Sequence, residues 1–151
     1  MSQDDVLLVI SVFTREAAPE VEMGELMRDD EHWDRSRDRF SPDVDVKFMT
    51  PGDTGVGIME QEFRGVDGLR QGWGVWMEAW DEFRVEVKDV IDAGNGQVLT
   101  LGSAVGVMRG TGAELPQEVA VLCRVEDGRI IEVGYYLDQA QARRDAGLAQ
   151  G

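Results

Sequence analysis

Few residues in this chain can do chemistry, and most of those stand alone. The only histidine, His32, lies beside Trp33 in the acidic run DDEHWD. Its spacing matches no zinc or calcium template, so a solvated helix face is the simpler reading and no metal is expected. The only cysteine, Cys123, cannot form an internal bridge. It sits in the apolar run VAVLCRV, as a buried thiol in a reducing compartment would. Two residues on the later strands offer more. Tyr135 shares the apolar parity of Ile131, Val133 and Leu137, so its hydroxyl could donate to a carbonyl or an oxyanion in a cavity. Asp89 shares the parity of Val87 and Ile91. A carboxylate among apolar side chains has a raised pKa and can move a proton beside a carbonyl, whereas a bulge or strand end would leave it in water. Glu60 and Glu62 are further candidates from a short strand, with surface exposure as the simpler reading.

The element that must position these groups is the tryptophan-rich stretch 62–83, EFRGVDGLRQGWGVWMEAWDEF. Trp73, Trp76 and Trp80 recur with Val66, Leu69 and Met77 at steps of three and four, which on an α-helix form one broad aromatic face. Such a face needs a large apolar partner, and closely spaced rings often border a pocket. Gly65 supplies the sharp turn into this helix, and Asp67 in its first turn suits the helix dipole.

Before it, residues 4–17 have apolar spacing that fits a helix, with a strand as competitor because of the β-branched run VLLVISV. Residues 23–40 read as a second amphipathic helix, broken near Asp29-Asp30. Ser41-Pro42-Asp43 reads as a turn, followed by a half-buried strand at Val44, Val46 and Phe48, a glycine-rich loop PGDTGVG and a short strand over residues 59–64. Everything after Phe83 reads as antiparallel sheet, with turns at DAGNG and Asp127-Gly128 and bends or a bulge at Gly102 and Gly106. A short polar tail closes the chain.

The 151 residues carry 30 acidic and 15 basic side chains, a formal charge of −15. That field repels phosphate backbones and anionic lipid surfaces, so neither nucleic acid nor membrane is an expected partner. The length suits one domain over residues 1–151. The apolar run 6–13 is too short to span a bilayer and follows an acidic leader, MSQDD, so a cytoplasmic location is expected. The glycine-rich loops lack the features of a nucleotide site, and no cofactor is expected.

The segments FSPDVDVKF, EFRGVDGLRQGWGVWMEAW, VIDAGNGQVLTL and RVEDGRIIEVGYYLDQAQARRDAGL resemble, in order and spacing, the SnoaL-like branch of the nuclear transport factor 2-like superfamily. The likeness covers most of the chain from Phe40 onward. It implies an α+β fold: a cone-shaped barrel whose strongly curved, mostly antiparallel sheet wraps N-terminal helices around an internal cavity. It favours helix over strand for residues 4–17 and implies a homodimer through the outer sheet face. The superfamily holds cyclases, isomerases, hydrolases, dehydratases and non-enzymatic binding modules, so the site must decide function. In the related cyclases a catalytic carboxylate follows the Asp-Gly turn on the last strand. Alignment on Asp127-Gly128 puts Tyr135 there, Val121 where the cyclases place a histidine, and Phe48 where the isomerases place their base. That departure counts against both chemistries.

Three readings follow. One is a small-molecule-binding domain for a neutral hydrophobic compound, its cavity walled by Trp33, Phe48, Phe63, Trp73, Trp76, Val121 and Tyr135. Another is a cofactor-independent cyclase or isomerase acting on a polyketide-like or steroid-like ketone, with Tyr135 polarising the carbonyl and Asp89 moving the proton. The third is a non-catalytic dimeric interaction module with a solid interior.

Overall fold

A computed structural model describes residues 8–9, 20–49, 61–78 and 80–148. Of the helix expected over residues 4–17, only Leu8 and Val9 fall within that set; both are helical, and Val9 is buried in the core. The loop PGDTGVG and Glu60 lie outside the described residues.

The chain enters on a short edge strand, β1 (Glu20–Glu22), which pairs antiparallel with β4 (Trp80–Gly94). The Glu22 carboxylate accepts from the first amides of α1 (Met23–Arg28), at 2.9 Å from Gly24 and 3.0 Å from Glu25, and from the Phe83 amide of β4 at 3.1 Å. One side chain thus caps a helix and fastens it to the sheet. The helical segment breaks at Asp29, whose carboxylate caps α2 (Asp30–Ser36) through the His32 amide at 3.1 Å. It does not run to Phe40 as expected. A 3-10 turn (Arg37–Arg39) intervenes, and Phe40 opens β2 (Phe40–Met49), because its backbone pairs with Ile130 of β7 (Arg129–Tyr136).

Ser41-Pro42-Asp43, expected as a turn, is part of β2. The register against β7 shifts between Phe40 and Asp45, so proline's missing N–H breaks no ladder bond there, while Ser41 Oγ takes the Asp43 amide at 3.2 Å. Turn chemistry is used inside a bulged strand. β3 (Gln61–Arg64) pairs with β2 and leads through Gly65, at φ 79°, into α3 (Gly65–Met77). This is the aromatic helix of the sequence, but it stops before Trp80. Trp80 begins β4 (Trp80–Gly94), and the Arg109 guanidinium donates to the carbonyls of Met77 at 3.3 Å and Trp80 at 2.9 Å, serving the acceptors left at the helix end.

Three more long elements complete the sheet: β5 (Gln97–Met108), β6 (Glu114–Glu126) and β7 (Arg129–Tyr136). The seven strands run in the order β1-β4-β5-β6-β7-β2-β3, all neighbours antiparallel except β2 and β7. Curvature is built where glycine allows it. The β4–β5 register shifts between Val87 and Asp89 opposite Gly102, where a side chain would strike the Glu86 carbonyl at 2.6 Å. At Gly106 a Cβ would collide with the Trp80 ring. Backbone and indole therefore share space that only glycine leaves open.

The sheet's two faces carry separate cores. Inside the curve, α3 lays Val66, Leu69, Trp73 and Trp76 against Trp80, Phe83, Cys123, Val133 and Tyr135. Each fully buried large apolar side chain contributes roughly 1.5–3 kcal/mol. On the outer face, α4 (Gln139–Asp145) covers Leu99, Leu101, Ala120 and Tyr136 with Ala142 and Ala146. The Tyr136 hydroxyl donates to Asp145 at 2.8 Å, and Gln139 Nε2 donates to the carbonyls of Gly102 at 3.0 Å and Val119 at 2.9 Å. The fold is thus α+β, with a curved, unclosed sheet around its helices, as the sequence implied. Among the described residues no helix is long and apolar enough to cross a membrane.

Candidate functional site

Where α3 meets the concave sheet, the rings do not fill the space between them. Trp73 and Trp76 of α3, Phe83 of β4, and Tyr135 of β7 surround a cavity completed by Met23, Val85, Val87, Thr100, Gly102, Val119, Ala120, Val121, Tyr136 and Leu137. The space open to the centres of water molecules is about 80 Å³. One water needs roughly 10–15 Å³ on that measure, so this is more than a packing defect.

The rings brace one another edge to face. Trp73 meets Tyr135 with centroids 5.0 Å apart at 85°, and Trp76 meets Phe83 at 5.8 Å and 90°. Such pairs add about 0.5–1.5 kcal/mol beyond their buried area and hold the wall rigid. Burial pushes the Tyr135 hydroxyl well above the usual tyrosine range, and the adjoining Trp73 side chain offsets this only in part. The group is therefore neutral at ordinary pH.

Of the residues expected from sequence, Trp73, Trp76, Val121 and Tyr135 line this cavity together. Trp33 does not: it is fully buried beneath α1 and α2, where its N–H donates to the Leu26 carbonyl at 2.8 Å and its ring packs on Phe40. Phe63 packs against the core outside the lining. The Phe48 and Glu62 side chains lie outside the described residues, though the Phe48 backbone pairs with Tyr135. Asp89 stands apart. The register shift after Val87 reverses the parity that placed it inward, and Asp89 pairs with outward-facing Leu101 and is exposed. His32 is buried edge-on to Trp33 and is likewise absent from the lining.

Sequence reading missed Met23, Phe83, Thr100 and Leu137. Thr100 was legible in principle, as the one hydroxyl on the inward parity of Val98 and Gly102. Met23 was not, because its place depends on how α1 docks on β4. Among the described lining residues none is charged, and among the described residues no three potential ligands cluster as a metal site. The arrangement can hold a small apolar molecule.

Burial also raises the pKa of Cys123 beyond the usual thiol range, and that of Tyr136, where Asp145 adds to the effect. Folded pKa values above unfolded ones mean stability that is complete below about pH 8.5 for the thiol and pH 10 for the tyrosines. It is lost as pH rises beyond those values toward the folded ones. The denaturation midpoint should therefore fall on going from pH 8 to 11, with tyrosinate absorbance appearing on unfolding. Full tyrosinate titration of folded protein near pH 10 would contradict the burial of both rings.

Solved structures of the nuclear transport factor 2-like fold class share this curved, mostly antiparallel sheet packed against helices. A putative SnoaL-like polyketide cyclase from Jannaschia superposes with a TM-score of 0.66 at 17% identity, over 98% of this chain and 94% of that one. TerC, co-crystallised with polyporic acid, gives 0.64 at 14%, over 95% and 98%. A nuclear transport factor 2-like protein from Burkholderia thailandensis gives 0.64 at 18%, over 96% and 98%. Within that class the family is specific: residues 25–133 match the SnoaL-like domain, and the chain belongs to that family. No functionally curated protein matches the sequence.

Proposed function

We propose that this SnoaL-like domain binds a neutral, largely apolar small molecule between α3 and the concave sheet. The observation that carries the reading is the aromatic cavity itself, walled by Trp73, Trp76, Phe83 and Tyr135 and lined, among the described residues, by no charged side chain. Its walls belong to the rigid core, so a ligand would meet a preformed site. Cyclase or isomerase chemistry requires a proton-moving group beside the ligand. Asp89, the carboxylate suggested for it, is on the outer face. Cytoplasmic residence is part of the reading, supported by a single, buried thiol. A homodimer through the outer sheet face would form beside α4, which already covers Leu99 and Leu101. Light scattering at twice the chain mass would support it, and the mass of one chain would remove it.

The test of binding is a thermal-shift and tryptophan-fluorescence screen against neutral aromatic ketones, sterols and fused-ring polyketide-like compounds. A ligand at about 100 times its dissociation constant should add roughly 2.7 kcal/mol. At this chain length that raises the melting temperature by about 5–10 °C. Saturable shifts with a change in tryptophan emission are expected. A flat response to every compound would leave a solid, non-binding interior as the better account.

A further inference from the structure

One residue pair in the sheet wall of the cavity has less ladder support than its neighbours. Gly102 of β5 and Val119 of β6 stand opposite each other in register, and both line the cavity. On one side of the pair, the β4–β5 register slips between Val87 and Asp89. On the other, the β6–β7 ladder ends at Ala120 and Tyr136, one residue short of Val119. A bulge and a strand end both interrupt the backbone bonds that hold a strand in place. The wall is also thin here. Gly102 has no side chain, and Ala120 and Tyr136, which pack under α4 on the outer face, line the cavity as well.

Gln139 supports this point from the opposite face. It is half-buried in the first turn of α4, and its Nε2 donates to the Gly102 carbonyl at 3.0 Å and the Val119 carbonyl at 2.9 Å. One side-chain amide thus spans β5 and β6 where the ladders on either side are interrupted. The helix that carries it is fixed at both ends. The Asp138 carboxylate accepts from the amides of Ala140 at 3.0 Å and Gln141 at 3.2 Å, and Asp145 takes the Tyr136 hydroxyl at 2.8 Å. None of the described lining residues belongs to α4, so the helix acts on the cavity only through the sheet.

We infer that Gln139 is a positioning residue for the cavity and that it couples the docking of α4 to ligand binding. The helix holds the Gly102–Val119 pair at the spacing a ligand meets, and a bound ligand in turn tightens α4 on the sheet. The second effect follows from the first, because coupling between two sites is reciprocal. The inference rests on the cavity being a ligand site. It adds a residue on the far side of the sheet and a helix whose docking responds to occupancy.

The test uses the full chain and 2-acetonaphthone, a neutral aromatic ketone, or the tightest compound of the screen where that ketone does not bind. Gln139→Glu keeps the side chain's shape but sets an acceptor against two carbonyls, while its charge favours the helix N-terminus. Affinity measured by tryptophan fluorescence well below the melting range should fall about fivefold to tenfold. Gln139→Met, neutral and without donors, should weaken binding too. Gln141→Glu, the same charge change two residues on, should bind as the wild type does. In hydrogen exchange, saturating ligand should slow the Ala142 and Ala146 amides of wild-type α4 more than the Trp33 amide of α2. That excess should vanish in Gln139→Met. Wild-type affinity in either Gln139 variant, an equal loss in Gln141→Glu, or no excess slowing in α4 overturns the coupling while leaving the cavity a ligand site. Should a Gln139 variant fail to fold, the wild-type exchange comparison still decides. If no compound of the screen binds, the binding reading fails and the coupling fails with it.

Discussion

Replacing Trp33 by alanine should lower stability by about 3–5 kcal/mol. At this chain length the melting temperature should then drop by about 6–20 °C. Trp33 is fully buried and ties three elements together: its N–H reaches back to Leu26 in α1, its ring stacks on Phe40 at the start of β2, and His32 meets it edge-on at 5.2 Å. Alanine removes the ring and one of two donors to the Leu26 carbonyl, which keeps the Asp29 amide at 3.2 Å. Trp33→Phe separates the two effects, since it keeps most of the packing and loses one hydrogen bond, for a cost of about 0.5–1.5 kcal/mol. Because Trp33 does not line the cavity, any ligand affinity measured well below the melting range should be unchanged in Trp33→Phe. A loss under 1 kcal/mol for Trp33→Ala in denaturant melts would show that this corner does not hold the helices to the sheet.

The second large effect is expected at Gly106. A methyl group there would occupy the space of the Trp80 ring, which is itself buried against Trp76 and Phe83 with centroids 5.8 and 5.4 Å away. The ring cannot step aside without moving the cavity wall, so Gly106→Ala should cost about 1–3 kcal/mol, and Gly106→Val more. Overpacking is a pairwise effect and has a pairwise remedy. The Trp80 indole N–H is buried without a hydrogen-bond partner among the described residues, so Trp80→Phe removes an unsatisfied donor as well as ring volume. The double variant Gly106→Ala/Trp80→Phe should therefore be more stable than the sum of the single losses predicts, with a coupling of about 0.5–3 kcal/mol. Strict additivity in the cycle would mean that residue 106 and the ring do not compete for the same space.

Binding and stability meet in this wall. Trp76 and Phe83 both touch Trp80 and both line the cavity, so the Gly106 substitutions should also alter tryptophan emission and any ligand affinity. Trp33→Phe removes one of the four indoles and so changes the emission directly, but it lies outside the cavity lining and should leave ligand affinity unchanged. Measuring the two side by side distinguishes a distorted cavity from a merely less stable protein.

The amino-acid sequence by itself determined the class of fold and the aromatic heart of the site. Period-two alternation in the second half, a turn at Asp127-Gly128 and the tryptophan spacing of α3 are local signals, each set by backbone geometry over a few residues. They sufficed to bring Trp73, Trp76, Val121 and Tyr135 together on paper, because strand parity and helix periodicity state which side chains share a face. What only the tertiary structure decided were the places where a long-range contact overrides a local pattern. Trp80 continues the helical spacing but begins β4, because pairing with Met108 across the sheet supplies it with backbone partners. Ser41-Pro42-Asp43 carries turn residues but lies in β2, because the chain beyond it must pair with β7. Asp89 reads as inward, but one residue of slippage after Val87 turns it to the outer face, since a shift of one reverses every side chain that follows. Trp33 looks like a wall of the cavity and is instead its foundation, because where a helix face points depends on the helix it docks against. Parity is written in the chain; register and docking are settled only when distant strands and helices meet.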